Sequence, residues 1–165
     1  MSKAFTKEDD DDGVETLPDL PQSPHPNYVT PEGLAALRDR LHTVRAELIE
    51  LRANKGDIKA HLAVAVAERD IRFIAERIKR AIVVDPRAQP PGLIAFGATI
   101  EVIDEDGGTH SYRIVGEDES DPARGLITPF SPLARALIGA KVGDVVVWER
   151  PKGQVTLEIA AIRFA

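Results

Sequence analysis

The 165-residue sequence predicts an α+β protein: an N-terminal antiparallel coiled-coil helical hairpin, then a small antiparallel β domain carrying one short helix. Three observations carry that reading. Apolar residues recur at heptad spacing between residues 30 and 82, short β-branched runs replace them after residue 93, and a proline-rich stretch separates the two patterns. The length suffices for one medium domain or two small ones.

Residues 1–27 hold seven acids against Lys3 and Lys7, together with Pro18, Pro21, Pro24 and Pro26. Carboxylate repulsion and the fixed φ of proline oppose a packed core, so this segment is expected to be a disordered acidic tail. The net charge of -6 is then mostly a property of the tail, which accounts for -5 of it. A nearly neutral body remains open to an anionic partner.

The hairpin is expected over 28–84. Thr30 suits an N-cap and Pro31 the first helical position, where a missing N–H costs nothing. Leu34, Leu37, Leu41, Val44, Leu48 and Leu51 then form an unbroken a/d seam. Gly56 can take the left-handed conformation that ends a helix, and Asp57 can cap the next one. Ala60, Val64, Ala67, Ile71, Ile74, Ile78 and Ala81 keep a matching rhythm, so the second helix must fold back on the first. Each arm should be roughly 35 Å long at 1.5 Å per residue.

Eleven Lys and Arg against eight Asp and Glu lie between 31 and 82. Arg69, Arg72, Lys79 and Arg80 follow the second arm. They read either as a solvated coiled-coil surface with pairs such as Glu76–Arg80, or as a mildly basic face for a nucleic-acid backbone, with Arg69 and Arg72 nearest to it.

The linker, 85–92, contains Pro86, Pro90 and Pro91 and should be semi-rigid. Over 93–165 the strand-like runs are Ile94–Ile103, His110–Gly116, Arg124–Thr128, Asp144–Arg150 and Gln154–Phe164. Between the third and fourth, Ser131, Pro132 and Gly139 bracket a short helix as N-cap, first position and stop.

Several functional classes are excluded. No run approaches the roughly 18 apolar residues of a membrane span, and the N-terminus shows no apolar stretch of a signal peptide. Zero cysteines exclude disulfides, thiolate metal sites and a cysteine nucleophile, and suit a cytoplasmic location. His25, His42, His61 and His110 are scattered at spacings that no zinc site uses.

Five blocks carry a resemblance. Asn27-Tyr28-Val29-Thr30-Pro31-Glu32-Gly33-Leu34, Val83-Val84-Asp85-Pro86, Phe96-Gly97-Ala98-Thr99, Tyr112-Arg113-Ile114-Val115-Gly116 and Ser131–Gly139, with Lys141-Val142-Gly143-Asp144 just after, stand in one order. Over 28–165 the chain resembles the bacterial Gre-type transcription elongation factors, the GreB branch more than GreA. That resemblance implies an FKBP-like C-terminal domain that docks on core RNA polymerase at its secondary channel, with the hairpin reaching toward the catalytic centre. It implies nascent RNA or DNA nearby only inside that complex, a monomer, and no enzyme activity or cofactor of its own. Two tip acids in a G-D-x-x-E pattern would help the polymerase hold a Mg²⁺ that activates water.

The departures from the family pattern shape the functional expectation. Asp57 falls on the first acid, but Ala60 occupies the second acid's place and has no ligand atom. Each arm is also about one heptad short, which withdraws the tip by about 10 Å. The expected function is a polymerase-binding regulator that does not stimulate cleavage; the alternative is a working cleavage factor. Asp57 reads equally as a simple N-cap. Docking falls on Phe130, Ser131 and Pro132, with Phe130 either exposed at the interface or tucked into the core. Prolyl isomerase activity would need an aromatic-lined pocket that the scattered aromatics do not announce. A generic coiled-coil adaptor is disfavoured by the C-terminal blocks.

Overall fold

The computed structural model describes residues 16–54 and 56–164. Strand β1 (Asn27–Val29) leads into helix α1 (Pro31–Ala53), which returns as α2 (Ile58–Lys79) and continues into β2 (Ala81–Val83). Thr30 caps α1 as expected, its Oγ1 accepting from the Gly33 amide at 3.0 Å, with Pro31 at the first helical position. The seam closes as the heptads require: Leu37, Leu48, Ala67 and Ile74 are buried, and Leu34, Leu41, Val44 and Ile78 pack beside them. At 1.5 Å per residue the arms are about 34 Å long. Large side chains concentrate at the base, around Val29, Leu37 and Ile74, whereas alanines fill the second arm nearer the tip.

Strands β1 and β2 pair in parallel, Asn27 beside Ala81 and Val29 beside Val83. Parallel strands need a long crossover. Here the whole hairpin is that crossover, so a pair too short to show any strand period is formed by the helices between them.

After β2 a 3-10 turn at Pro86–Ala88 is capped by Asp85, and Pro86 is buried against Gly97. The linker is therefore anchored on the β domain at Pro86 and at Gln89, which donates to the Phe96 carbonyl, while residues 90–92 stay exposed. The domain's sheet comprises β3 (Thr99–Ile103), β4 (Thr109–Ile114), β5 (Leu126–Ile127), β6 (Val145–Arg150) and β7 (Gly153–Arg163), in the spatial order β5-β4-β3-β7-β6. Helix α3 (Pro132–Leu137) closes one face through Leu133, Ala134 and Leu137. Ile100, Val102, Ile114, Leu157 and Ile159 supply the opposing side of that core.

Two expectations change. Residues 94–98 bend before β3, because Gly97 adopts φ +87 and its amide bonds back to the Ile114 carbonyl. The sheet is mixed where it was expected to be antiparallel throughout. β5 pairs parallel to β4 because residues 115–125 cross over between them through two 3-10 turns.

The expected disordered tail needs a larger revision. Residues 1–15 lie outside the described residues. Residues 16–26 have no regular secondary structure, yet they are tied along α2. Arg72 donates to Asp19 and to the Leu17 carbonyl, and Gln22 donates to the Phe73 carbonyl. Proline in an extended strap satisfies its own geometry while neighbouring side chains do the bonding. No helix among the described residues is long and apolar enough to cross a membrane.

Candidate functional site

At the hairpin tip, α1 ends at Asn54 and Gly56 takes φ +131, a conformation that side chains with a Cβ rarely adopt. Asp57 is extended at φ -112, and its Oδ1 accepts from the Lys59 amide at 3.0 Å. Its carboxylate is thus an N-cap, satisfying one of the four orphan donors at the start of α2. Ala60 presents a methyl group. Ile58, 87% exposed, and Leu62, 58% exposed, lie one helical turn apart on the outer face. The next carboxylate on α2, Glu68, is bound to Arg52 at 2.6 Å across the two arms.

The two arginines expected nearest to nucleic acid both have acidic partners. Arg69 holds its neighbour Asp70 at 2.9 Å, and Arg72 holds Asp19 of the strap.

The expected docking loop is tied by its own hydrogen bonds. Ser131 caps α3, accepting from the Ala134 amide at 3.3 Å and donating to the Thr128 carbonyl at 2.9 Å, so its hydroxyl is fully engaged. Pro132 is exposed at the first helical position. Phe130 follows neither of its two expected placements. Half-buried, it stacks under the ring of His25, centroids 4.1 Å apart and planes 9° from parallel. Tyr28 lies 6.5 Å away on a nearly parallel plane, and Tyr28 also meets Phe96. The strap and the hairpin base therefore supply the neighbours of this aromatic.

Sequence reasoning missed the joint between hairpin and β domain. Arg77, on α2, is 2% exposed. Its guanidinium contacts Asp118 Oδ2 at 2.7 Å and donates to Asn27 Oδ1 at 2.7 Å, with Glu117 at 3.5 Å. Asn27 Nδ2 donates in return to the Arg77 carbonyl at 2.7 Å. Thr30 Oγ1 donates to Glu119 Oε1 at 2.7 Å, while the Gly116 amide donates to Glu119 Oε2. Three consecutive acids, Glu117-Asp118-Glu119, thus receive the base of the hairpin. An arginine at Arg77 was readable only as another surface cation. The one hint was its place beside Ile74 and Ile78, close to the buried seam.

The resolved pKa shifts lie away from the tip. Asp104 is held below the ordinary carboxylate value by the His110 ring and by the Gly108 and Asp106 amides. Arg87 does the same for Asp85, and burial raises Tyr112.

A family model described as transcription elongation factor, GreA/GreB, C-term, matches residues 89–164. Transcription elongation factor GreB of Neisseria meningitidis serogroup B is 35% identical over 153 residues, covering 84% of this chain and 94% of that protein. The chain belongs to the GreA/GreB family of transcription elongation factors. GreA of Alkalilimnicola ehrlichii is 38% identical, covering 83% of this chain and 97% of that protein. Among solved structures, GreA factor homolog 1 of Thermus thermophilus aligns at 24% identity with a TM-score of 0.40, covering 84% of this chain and 99% of that one.

For a member of the GreA/GreB family, the metal that the resemblance brings to the tip is magnesium. The donor set here does not fit it. Mg²⁺ wants several hard oxygens in strict geometry. Asp57 offers one carboxylate already bonded to its own helix, Ala60 offers none, and Glu68 is neutralised by Arg52. Among the described residues no three carboxylate, imidazole or thiol groups gather at one point.

Proposed function

We propose that this chain binds core RNA polymerase at the secondary channel through its β domain and regulates elongation without stimulating transcript cleavage. It acts there as a competitor of cleavage factors or a modulator of pausing, in the cytoplasm, as a monomer, with no catalytic activity or cofactor of its own. Nascent RNA or DNA would be close to it only within the polymerase complex.

The observation that carries the reading is the tip. Its single acid closes the N-terminus of α2, and the exposed side chains that follow it, Ile58, Lys59, His61 and Leu62, include no second carboxylate. Cleavage assistance needs oxygen ligands placed to tenths of an ångström, and this tip cannot supply a second one. Reach supports the same conclusion. Each arm reads about one heptad shorter than the family pattern, which sets the tip back. Seven residues of helix are about 10 Å.

The test is a defined backtracked elongation complex with labelled RNA. The chain alone should not accelerate cleavage. Added to a fixed amount of an active cleavage factor, it should slow cleavage, and excess active factor should restore the rate by mass action. Cleavage rising with this protein alone would establish the alternative, a working cleavage factor. Inhibition indifferent to the concentration of the active factor would refute competition for one site.

A further inference from the structure

The strap formed by residues 17–25 touches both the expected docking loop and the hairpin. His25 covers a face of Phe130 in the docking loop, and Asp19 neutralises Arg72 on the hairpin. It is also held lightly. The Asp19–Arg72 pair is largely exposed, 75% and 42% on its two side chains, and such pairs shift populations by about five-fold at most. Gln22 donates to the Phe73 carbonyl, but its Oε1 is buried without a hydrogen-bond partner. An open groove of about 470 Å³ remains between Leu20 and the α2 residues Phe73, Glu76 and Lys79. Ser23 completes the attachment, its hydroxyl donating to Glu117 at 2.8 Å on the far side of the joint.

A segment selected for rigidity would fill its groove and satisfy its polar atoms. This one spans two bodies, covers an aromatic and a cation, and leaves a groove unfilled and a buried amide oxygen unpartnered. It joins exposed contacts at Leu17 and Asp19 to half-buried ones at Gln22, Ser23 and His25. Those are the properties of an element that opens at low cost.

We propose that residues 17–25 are an autoinhibitory cover: a polymerase surface docking at Phe130–Pro132 must first displace His25, and displacement also frees Arg72. The proposal rests on the docking reading above. The partner it fits is a protein surface offering an apolar or planar group to the Phe130 face and an acidic group to Arg72.

The experiment compares binding of full-length variants to core polymerase at fixed salt. Asp19→Ala with His25→Ala removes an exposed pair and an aromatic stack, and should tighten binding by about ten-fold. Asp19→Arg alone and Arg72→Asp alone each break the pair, while the two together rebuild it with reversed charges at unchanged net charge. That double variant should restore slow exchange over the strap, separating closure from a simple change in charge, while its affinity stays below wild type because an aspartate at 72 cannot meet the partner's acidic group. Amide exchange over 17–25 should be slower than in an open chain for wild type and the charge swap, and faster for the alanine variant. Unchanged or weaker polymerase binding by the alanine variant would overturn the cover while leaving docking intact. Open-chain exchange in the wild type would do the same. Absence of polymerase binding by every form, strapped or not, would overturn the docking reading and the cover with it.

Discussion

Replacing Arg77 tests whether one buried cation fastens the hairpin to the β domain. Arg77→Met keeps the apolar stem and removes the guanidinium. Three consequences can be weighed. Asn27 Oδ1, in a residue 2% exposed, loses its donor and stays away from water, at about 1–3 kcal/mol for an unsatisfied buried group. Asp118 loses a partner at 2.7 Å, but at 23% side-chain exposure it regains water, so the full 3–5 kcal/mol cost of a broken buried pair does not apply. The retained stem leaves little cavity. The sum is about 2–3 kcal/mol, a fall in melting temperature of roughly 5–10 °C for a chain of this size. Arg77→Lys should fall between, because one ammonium cannot reach Asn27 and Asp118 in the geometry of a planar fork. Urea unfolding followed by helical circular dichroism and by Trp148 fluorescence measures both bodies. A loss below about 0.5 kcal/mol for Arg77→Met, the range of an ordinary surface change, would refute the claim that this arginine is a structural joint.

Four further outcomes are expected. Gly116→Ala places a Cβ 2.5 Å from the Tyr28 carbonyl at an unstrained φ of -66°, so its cost is purely steric, about 1–3 kcal/mol by overpacking, and stability unchanged by urea titration would contradict it. Asp57→Ala should cost about 1 kcal/mol of cap energy, seen as faster amide exchange at Lys59 and no slower transcript processing; protection unchanged at Lys59 would deny the capping role. Asp104 should titrate by NMR below 3.8, because His110 and two amides favour its charged form; with the folded value depressed, its contribution is complete above the unfolded carboxylate value and is lost as acid takes the pH down through the folded one, and a titration at or above 3.8 would be the wrong sign. Ala60→Glu should not create a cleavage factor, since it restores a ligand type without restoring about 10 Å of reach, and strong cleavage of a backtracked transcript by this single variant would show the reach to be sufficient.

What the sequence determined by itself is whatever depends on local periodicity and capping. The seam Leu34 to Leu51, the returning Ala60 to Ala81, the caps Thr30, Asp57 and Ser131, and the stop at Gly56 all follow from spacings shorter than a few turns, and each stands in the structure within a residue or two. The loss of a ligand at Ala60 was equally plain, because chemistry that needs an oxygen is absent wherever the side chain has none. Tertiary structure alone decided the rest. Arg77 becomes a buried joint only because Glu117-Asp118-Glu119, some forty residues later, is carried back to the hairpin base by the fold of the β domain. Phe130 was undecided between core and surface, and its neighbour His25 lies more than a hundred residues away in a segment whose composition argues against packing. The parallel pair β1 and β2 has three residues a side, too few for any period, and exists because an antiparallel hairpin returns the chain to its starting point. Local pattern encodes which elements form. Which charge meets which, and which ring is covered, depends on contacts whose loop-closure entropy is paid only once those elements have packed.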